Sequence, residues 1–196
     1  MFRVVVSLCA AALVLASCSS EGADTGRDSQ PAAQGPSGLE ALTEQQMCDL
    51  LSDEAIEKAF DTTVEGSEGM KRGRAPVTVS YECDYDSEGF PTVSTDLSAT
   101  RSSESDQEVL DGVFTDRTQE DKVVGAHQAV PGLGTLAGFG RDAVLGKAVN
   151  ASSLGVVFTV DSERLLLTIS VTGKTELEQV RPLAEELLAN AKSAME

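Results

Sequence analysis

Apolar and polar residues alternate with a period of two over residues 77–85, 92–100, 154–161 and 164–172. Such alternation is typical of β-strands that bury one face. The first two stretches are separated by the turn-forming tetrapeptide Asp-Ser-Glu-Gly at residues 86–89. We therefore expect two antiparallel β-hairpins, one in each half of the chain.

Other stretches repeat their apolar residues with the period of an α-helix. Residues 42–51 form a short helix in this interpretation, and Ser52 caps a second one. An amphipathic helix opens at Ser103. A capping box over residues 175–178 opens the last helix, in which Pro182 predicts a kink or a displaced start.

The remaining segments of the C-terminal 155 or so residues are rich in glycine. Residues 66–76 and 125–140 are predicted to be loops, and a strand over residues 143–149 is compatible with the pattern. Because hairpins with one polar face need helices to cover the other face, we expect an α+β fold. The prediction is a two-layer sandwich of antiparallel hairpins covered by helices, forming one domain over residues 41–196.

The N-terminal region has the pattern of a secretion signal. Arg3 precedes an apolar stretch over residues 4–16, which as a helix rises only about 20 Å and is too short for a hydrocarbon core of ~30 Å. The sequence Leu-Ala-Ser-Cys at residues 15–18 resembles the lipobox of bacterial lipoproteins. It implies a signal peptide over residues 1–17 and a lipid attached to Cys18. An ordinary signal peptide with a chance cysteine is the alternative.

Residues 18–40 separate this signal from the predicted domain. They consist mainly of Ser, Gly, Ala, Pro and acidic residues up to Gly38, so we expect a disordered tether. The whole chain has 32 acidic against 15 basic residues and a formal charge of −17. This balance argues against nucleic acid as a partner and against direct binding to anionic lipid.

Two cysteines remain after Cys18, namely Cys48 and Cys83. In an oxidising compartment an even pair predicts a disulfide bond. A metal site built from these two thiols and the single histidine, His127, is disfavoured because four ligands are the rule.

Several segments of the domain resemble the DUF3558 family of actinobacterial lipoproteins. The resemblance rests on Cys-Asp-Leu-Leu-Ser at residues 48–52, Cys-Asp-Tyr at residues 83–85 and Val-Pro-Gly-Leu-Gly at residues 130–134. A terminal hairpin and a last helix rich in Ala and Leu complete it. The extracellular sensor domains of actinobacterial serine/threonine kinases are similar in outline.

Two positions depart from the family pattern. Tyr85 stands where family members often have Trp, and Thr135 stands where they often have an acidic residue. The resemblance covers residues 41–194 and implies an envelope lipoprotein of uncharacterised function. It transfers no catalytic residue to this chain.

Candidate catalytic and metal-binding residues are few. A Ser-His-Asp or Cys-His mechanism would require His127, which has no orienting group near it in the sequence, and no serine lies in a Gly-x-Ser-x-Gly motif. Asp84, Asp86 and Glu88 match half of an EF-hand loop, but Thr95 replaces the bidentate glutamate. The glycines of residues 132–140 do not fit a dinucleotide-binding spacing and are interpreted as turns.

A glycosylation sequon, Asn-Ala-Ser at residues 150–152, is discounted because the signal is bacterial in type. No pair of carboxylates is singled out for glycoside hydrolysis. We therefore expect a protein that is not an enzyme and uses no cofactor or metal.

The sequence as a whole predicts a lipoprotein at the outer face of the cytoplasmic membrane that acts as a binding or sensor module. The alternatives are a carrier of lipid or small molecules, or a hydrolase with an unrecognised site. The membrane is a partner through the lipid anchor. A protein or cationic ligand is the expected second partner, at the apolar segment of residues 125–140.

Overall fold

The computed structural model describes residues 38–73, 79–89, 91–115, 124–141, 151–173 and 175–196. A short 3₁₀ helix, η1, spans Gly38–Ala41. Four α-helices follow: α1 (Glu44–Asp49), α2 (Asp53–Phe60), α3 (Asp106–Phe114) and α4 (Leu177–Met195). Seven strands complete the fold: β1 (Val64–Arg72), β2 (Ser80–Ser87), β3 (Val93–Ala99), β4 (His127–Ala129), β5 (Leu136–Arg141), β6 (Ala151–Val160) and β7 (Glu163–Thr172).

All seven strands form one antiparallel sheet in the order β1-β2-β3-β7-β6-β5-β4. The two predicted hairpins are confirmed as β2–β3 and β6–β7. They meet at the centre of the sheet, where β3 pairs with β7 from Val93↔Val171 to Ala99↔Leu165. The α+β single-domain prediction is therefore confirmed.

The main core lies between one face of the sheet and helices α1, α2 and α4. The alternating side chains of β7 that the sequence predicted to share a face are all buried there. Among the helices, α4 has the most buried residues in this core. They are Val180, Leu183, Ala184, Leu187, Leu188, Ala191 and Met195.

Helix α3 packs on the opposite face of the sheet, against β5, β6 and β7. Over these strands the fold therefore has three layers, one more than the predicted sandwich. Glycines make the close approach of α3 possible, since a Cβ at Gly140 would lie 2.7 Å from the Phe114 ring and one at Gly155 would lie 2.9 Å from Leu110. Strand β6 is consequently buried on both faces.

Two predicted loops contain strands. Residues 66–72 of the predicted loop 66–76 belong to β1, and residues 125–140 include β4 and most of β5. Strand β1 lies at the edge of the sheet, and most of its side chains are exposed, so it has no apolar alternation. In β5, Gly138 and Gly140 face α3 rather than forming turns.

The helix starts agree with the predicted caps to within two residues. Ser52 caps α2 as predicted, with its hydroxyl accepting a hydrogen bond from the N–H of Ala55. Helix α3 is capped by Ser105 instead of Ser103, and α4 is capped by Glu176. Helix α4 continues through Pro182 without a displaced start.

The described part of the domain starts with η1, three residues before the predicted domain boundary at residue 41. Leu39 is fully buried, and its N–H donates to Glu163 at the β6–β7 turn. Residues 1–37, including Cys18 and most of the predicted tether, and the predicted strand 143–149 lie outside the described residues. Among the helices of the described ranges, none has the length and apolar character required to cross a membrane.

Candidate functional site

The predicted disulfide is present and joins α1 to β2. Cys48 and Cys83 are bonded, with their Cα atoms 5.2 Å apart and a separation of 35 positions in sequence. Both residues are buried, at 4% and 0% exposure. The bond is therefore shielded from solvent thiols, which favours a structural role over a redox-active one.

Two tyrosines on either side of Cys83 also connect β2 to α1 and to the segment just before it through hydrogen bonds. The Tyr81 hydroxyl donates to the Leu42 carbonyl at 2.6 Å, and the Tyr85 hydroxyl donates to the Cys48 carbonyl at 2.8 Å. Burial raises the pKa of the Tyr85 phenol, so this hydroxyl remains a donor. Tyr85 thus adds a side-chain donor to a carbonyl at the end of α1, which also accepts a hydrogen bond from the Leu51 N–H at 3.3 Å.

His127, on β4, is oriented by three neighbours that its sequence context did not reveal. Its ring stacks on Phe114 of α3, with centroids 4.4 Å apart. Its Nδ1 lies 3.2 Å from the Gly125 carbonyl, and its Nε2 lies 3.6 Å from the Asp111 carboxylate. The prediction that nothing nearby orients His127 is therefore wrong.

These contacts account for the position of the His127 ring between α3 and β4. A nucleophilic mechanism needs a hydroxyl or thiol within hydrogen-bond distance of the imidazole. In the parts of the chain that the structure covers, the imidazole contacts the Phe114 ring, the Gly125 carbonyl and the Asp111 carboxylate. The arrangement holds α3 against β4.

The half-match to an EF-hand loop does not form one. Asp84 and Asp86 lie in β2, where they alternate with buried Tyr85. Loop geometry, which calcium ligation in an EF-hand requires, is absent at these strand positions. Across the described residues, no three His, Cys, Asp or Glu side chains are grouped so as to hold a metal ion.

One carboxylate on the α3 side of the sheet is unusual. Asp96 of β3 lies directly opposite Glu82 of β2, which itself pairs with Arg72 at 2.6 Å. Burial raises the pKa of Asp96 to about 6, and the nearby charge of Glu82 adds to this shift, while Ser98 and Arg72 oppose it. Like charges directly across two strands are destabilising, so this pair disfavours full ionisation of Asp96.

Within the described residues, a groove between α2 and α4 has the size of a binding site, and we call it the α2–α4 groove. Its volume is about 510 Å³, within the usual range for ligand sites. Ten residues line it: Ser52, Glu54, Ala55, Lys58, Ala59, Glu178, Gln179, Pro182, Leu183 and Glu186. Small and apolar side chains form its floor, and acidic side chains form its rim.

Hydrogen bonds fix the two walls of the groove relative to each other. The Ser52 N–H donates to Glu186 Oε1 at 2.9 Å, and the Gln179 side-chain amide donates to the Ala59 carbonyl at 3.2 Å. Each bond joins one end of α2 to α4. The groove is therefore preformed, which lowers the entropic cost of binding.

Sequence reasoning did not find this groove, because its two walls are more than 100 residues apart in the chain. Ala55 and Ala59, which lie on the groove side of α2, are only partly buried. The predicted partner surface at residues 125–140 is instead largely part of the folded sheet, where Val130, Leu133, Ala137 and Phe139 are buried.

The chain matches no protein-family model and no curated protein.

Proposed function

We propose that this protein is a cell-envelope lipoprotein that acts as a non-catalytic binding or sensor module, anchored at the outer face of the cytoplasmic membrane through a lipid on Cys18. The lipobox-like sequence at residues 15–18 supports the anchor. The resemblance to the DUF3558 family supports the same location, and membership in that family is part of the proposal.

The buried disulfide is consistent with this location. A Cys48–Cys83 bond forms and persists in oxidising compartments such as the bacterial envelope, whereas cytosolic thiols are kept reduced. The buried bond connects the N-terminal helix of the domain to the sheet. It stabilises α1, the first α-helix after the proposed tether.

The observation that carries the binding role is the α2–α4 groove. It is preformed, it is large enough for a ligand, and it combines an apolar floor with acidic groups on its rim. His127, by comparison, is occupied in joining α3 to β4. The geometry of the described residues therefore supports a binding role better than a hydrolytic role.

The anchor is tested by metabolic labelling with a radioactive fatty acid in the native host. The wild type should incorporate the label, and Cys18→Ala should not. Cys9→Ala is the matched control, because Cys9 lies in the predicted signal peptide and its loss should leave labelling unchanged. Label retained in Cys18→Ala would contradict the proposed anchor.

The absence of catalysis is tested separately with a panel of hydrolase substrates. The full chain should give no turnover above that of a heat-denatured sample. Reproducible turnover that is lost in His127→Ala, with the circular-dichroism spectrum unchanged, would favour the hydrolase alternative.

A further inference from the structure

We propose that the α2–α4 groove binds a basic, partly apolar segment of a partner protein, with a lysine or arginine side chain at the acidic rim and a neighbouring apolar side chain on the floor. The inference rests on the proposed binding function and names the chemistry of its partner.

The rim charges favour a cation. Glu54, Glu178 and Glu186 line the groove, and Lys58 is the one basic residue among its lining side chains. One oxygen of Glu186 already accepts the Ser52 N–H, while Glu54 and Glu178 are exposed. A cationic side chain would place opposite charge beside these carboxylates and would raise the association rate.

Pro182 adds an uncharged acceptor to the groove. A proline has no N–H, so the Glu178 carbonyl, four residues earlier in α4, lacks its usual helical donor. Both residues line the groove. Ammonium and guanidinium groups are strong donors that could satisfy this carbonyl as well as a rim carboxylate.

The floor selects for an apolar neighbour beside the cation. Ala55 and Ala59 are separated by one helical turn and leave space between the helices because their side chains are small. Leu183 is buried beneath them. An apolar side chain placed there would remove apolar surface from water, which a free metal ion or a small polycation could not do.

The position of the groove suits a partner outside the membrane. Helix α4 starts after β7 ends at Thr172, whereas η1 contacts Glu163 at the other end of β7. The groove lies along the first half of α4, from Glu178 to Glu186. It is therefore displaced from the end of the domain where the proposed tether is attached.

The test uses the full chain in zwitterionic lipid nanodiscs and a fluorescein-labelled peptide with a Leu-Lys-Leu-Arg centre. Fluorescence anisotropy should show saturable binding that weakens at higher salt. Matched peptides with Glu for Lys and Arg, or with Ser for Leu, should bind more weakly. Protein-free nanodiscs provide the blank.

Two pairs of variants locate the site. Glu54→Gln with Glu178→Gln should raise Kd about two- to thirty-fold, since each exposed ion pair contributes modestly. Glu65→Gln with Glu68→Gln removes the same charge from exposed positions of β1 and should leave Kd unchanged. Each pair is compared with the wild type by circular dichroism.

Equal effects of the two pairs, or no saturable binding up to about 1 mM peptide, would overturn the inference about the groove. Neither result bears on the fatty-acid labelling of Cys18. Conversely, a labelling result that contradicts the lipid anchor would not affect specific binding of the peptide to the groove. The two failures are therefore distinguishable.

Discussion

Replacing both cysteines of the disulfide by alanine should lower the free energy of unfolding by about 4 kcal/mol. The bond joins residues 35 positions apart. In the chain-entropy relation a loop of this length gives about 3.8 kcal/mol at 25 °C, and measured losses for native disulfides run from about 2 to 5 kcal/mol. The effect acts mainly through the unfolded chain, which the bond keeps compact.

The folded structure should change little in Cys48→Ala/Cys83→Ala. The Tyr85 hydroxyl still connects α1 to β2, the Tyr81 hydroxyl still binds the Leu42 carbonyl before α1, and Met47 and Leu51 remain buried. The far-ultraviolet spectrum and the near-ultraviolet tyrosine signal should therefore match those of the wild type.

Urea unfolding provides the measurement. The double variant should show a lower midpoint and a steeper dependence on urea, because its unfolded state exposes more surface. Tyr85→Phe provides a contrast: it removes a native hydrogen bond to a carbonyl that keeps the Leu51 N–H as a donor, and it should cost about 0.5–1.5 kcal/mol without changing the slope. A loss below about 1 kcal/mol in the double variant would refute the loop-entropy reasoning.

Two further predictions concern the sheet. Gly140→Ala should destabilise the fold by about 1–3 kcal/mol in urea titrations, since its Cβ would lie 2.7 Å from Phe114, whereas Gly66→Ala meets no atom within 4 Å and should change stability by less than about 1 kcal/mol. The raised pKa of Asp96, about 6 in the folded state against an ordinary value of 3.8, means that folding takes up a proton between these pH values. Stability should therefore fall as the pH rises through this window, by up to about 3 kcal/mol, and Asp96→Asn should abolish that part of the pH dependence. An unchanged pH profile in Asp96→Asn, or equal effects of the two glycine variants, would contradict these arguments.

The predictable part of the fold has local causes. The central hairpins could be predicted from alternating residues such as Leu165, Leu167 and Ile169, and the start of α2 could be predicted from its Ser52 cap. Both patterns depend only on residues that are close together in the sequence. The Cys48–Cys83 pairing followed because only two cysteines remained after the predicted anchor.

The features that the sequence did not reveal depend on contacts between distant segments. Strand β1 is held at the sheet edge by pairing with β2, although most of its own side chains are exposed. In the sequence, Gly138 and Gly140 are typical of turns. Only the packing of α3 against β5 explains why these strand positions carry glycine. The α2–α4 groove has Ala55 on one wall and Pro182 on the other, and no local sequence pattern links these two residues.

The disulfide also determines how the domain would respond to a mechanical load applied through its N-terminal end. A force on Gly38 would first detach η1 and then α1, up to Cys48. These eleven residues extend to at most about 40 Å. Beyond Cys48 the covalent bond would transmit the load directly to Cys83 in β2, which is paired on both sides within the sheet. Residues 49–82, including α2 and one wall of the α2–α4 groove, would therefore lie outside the path of the force.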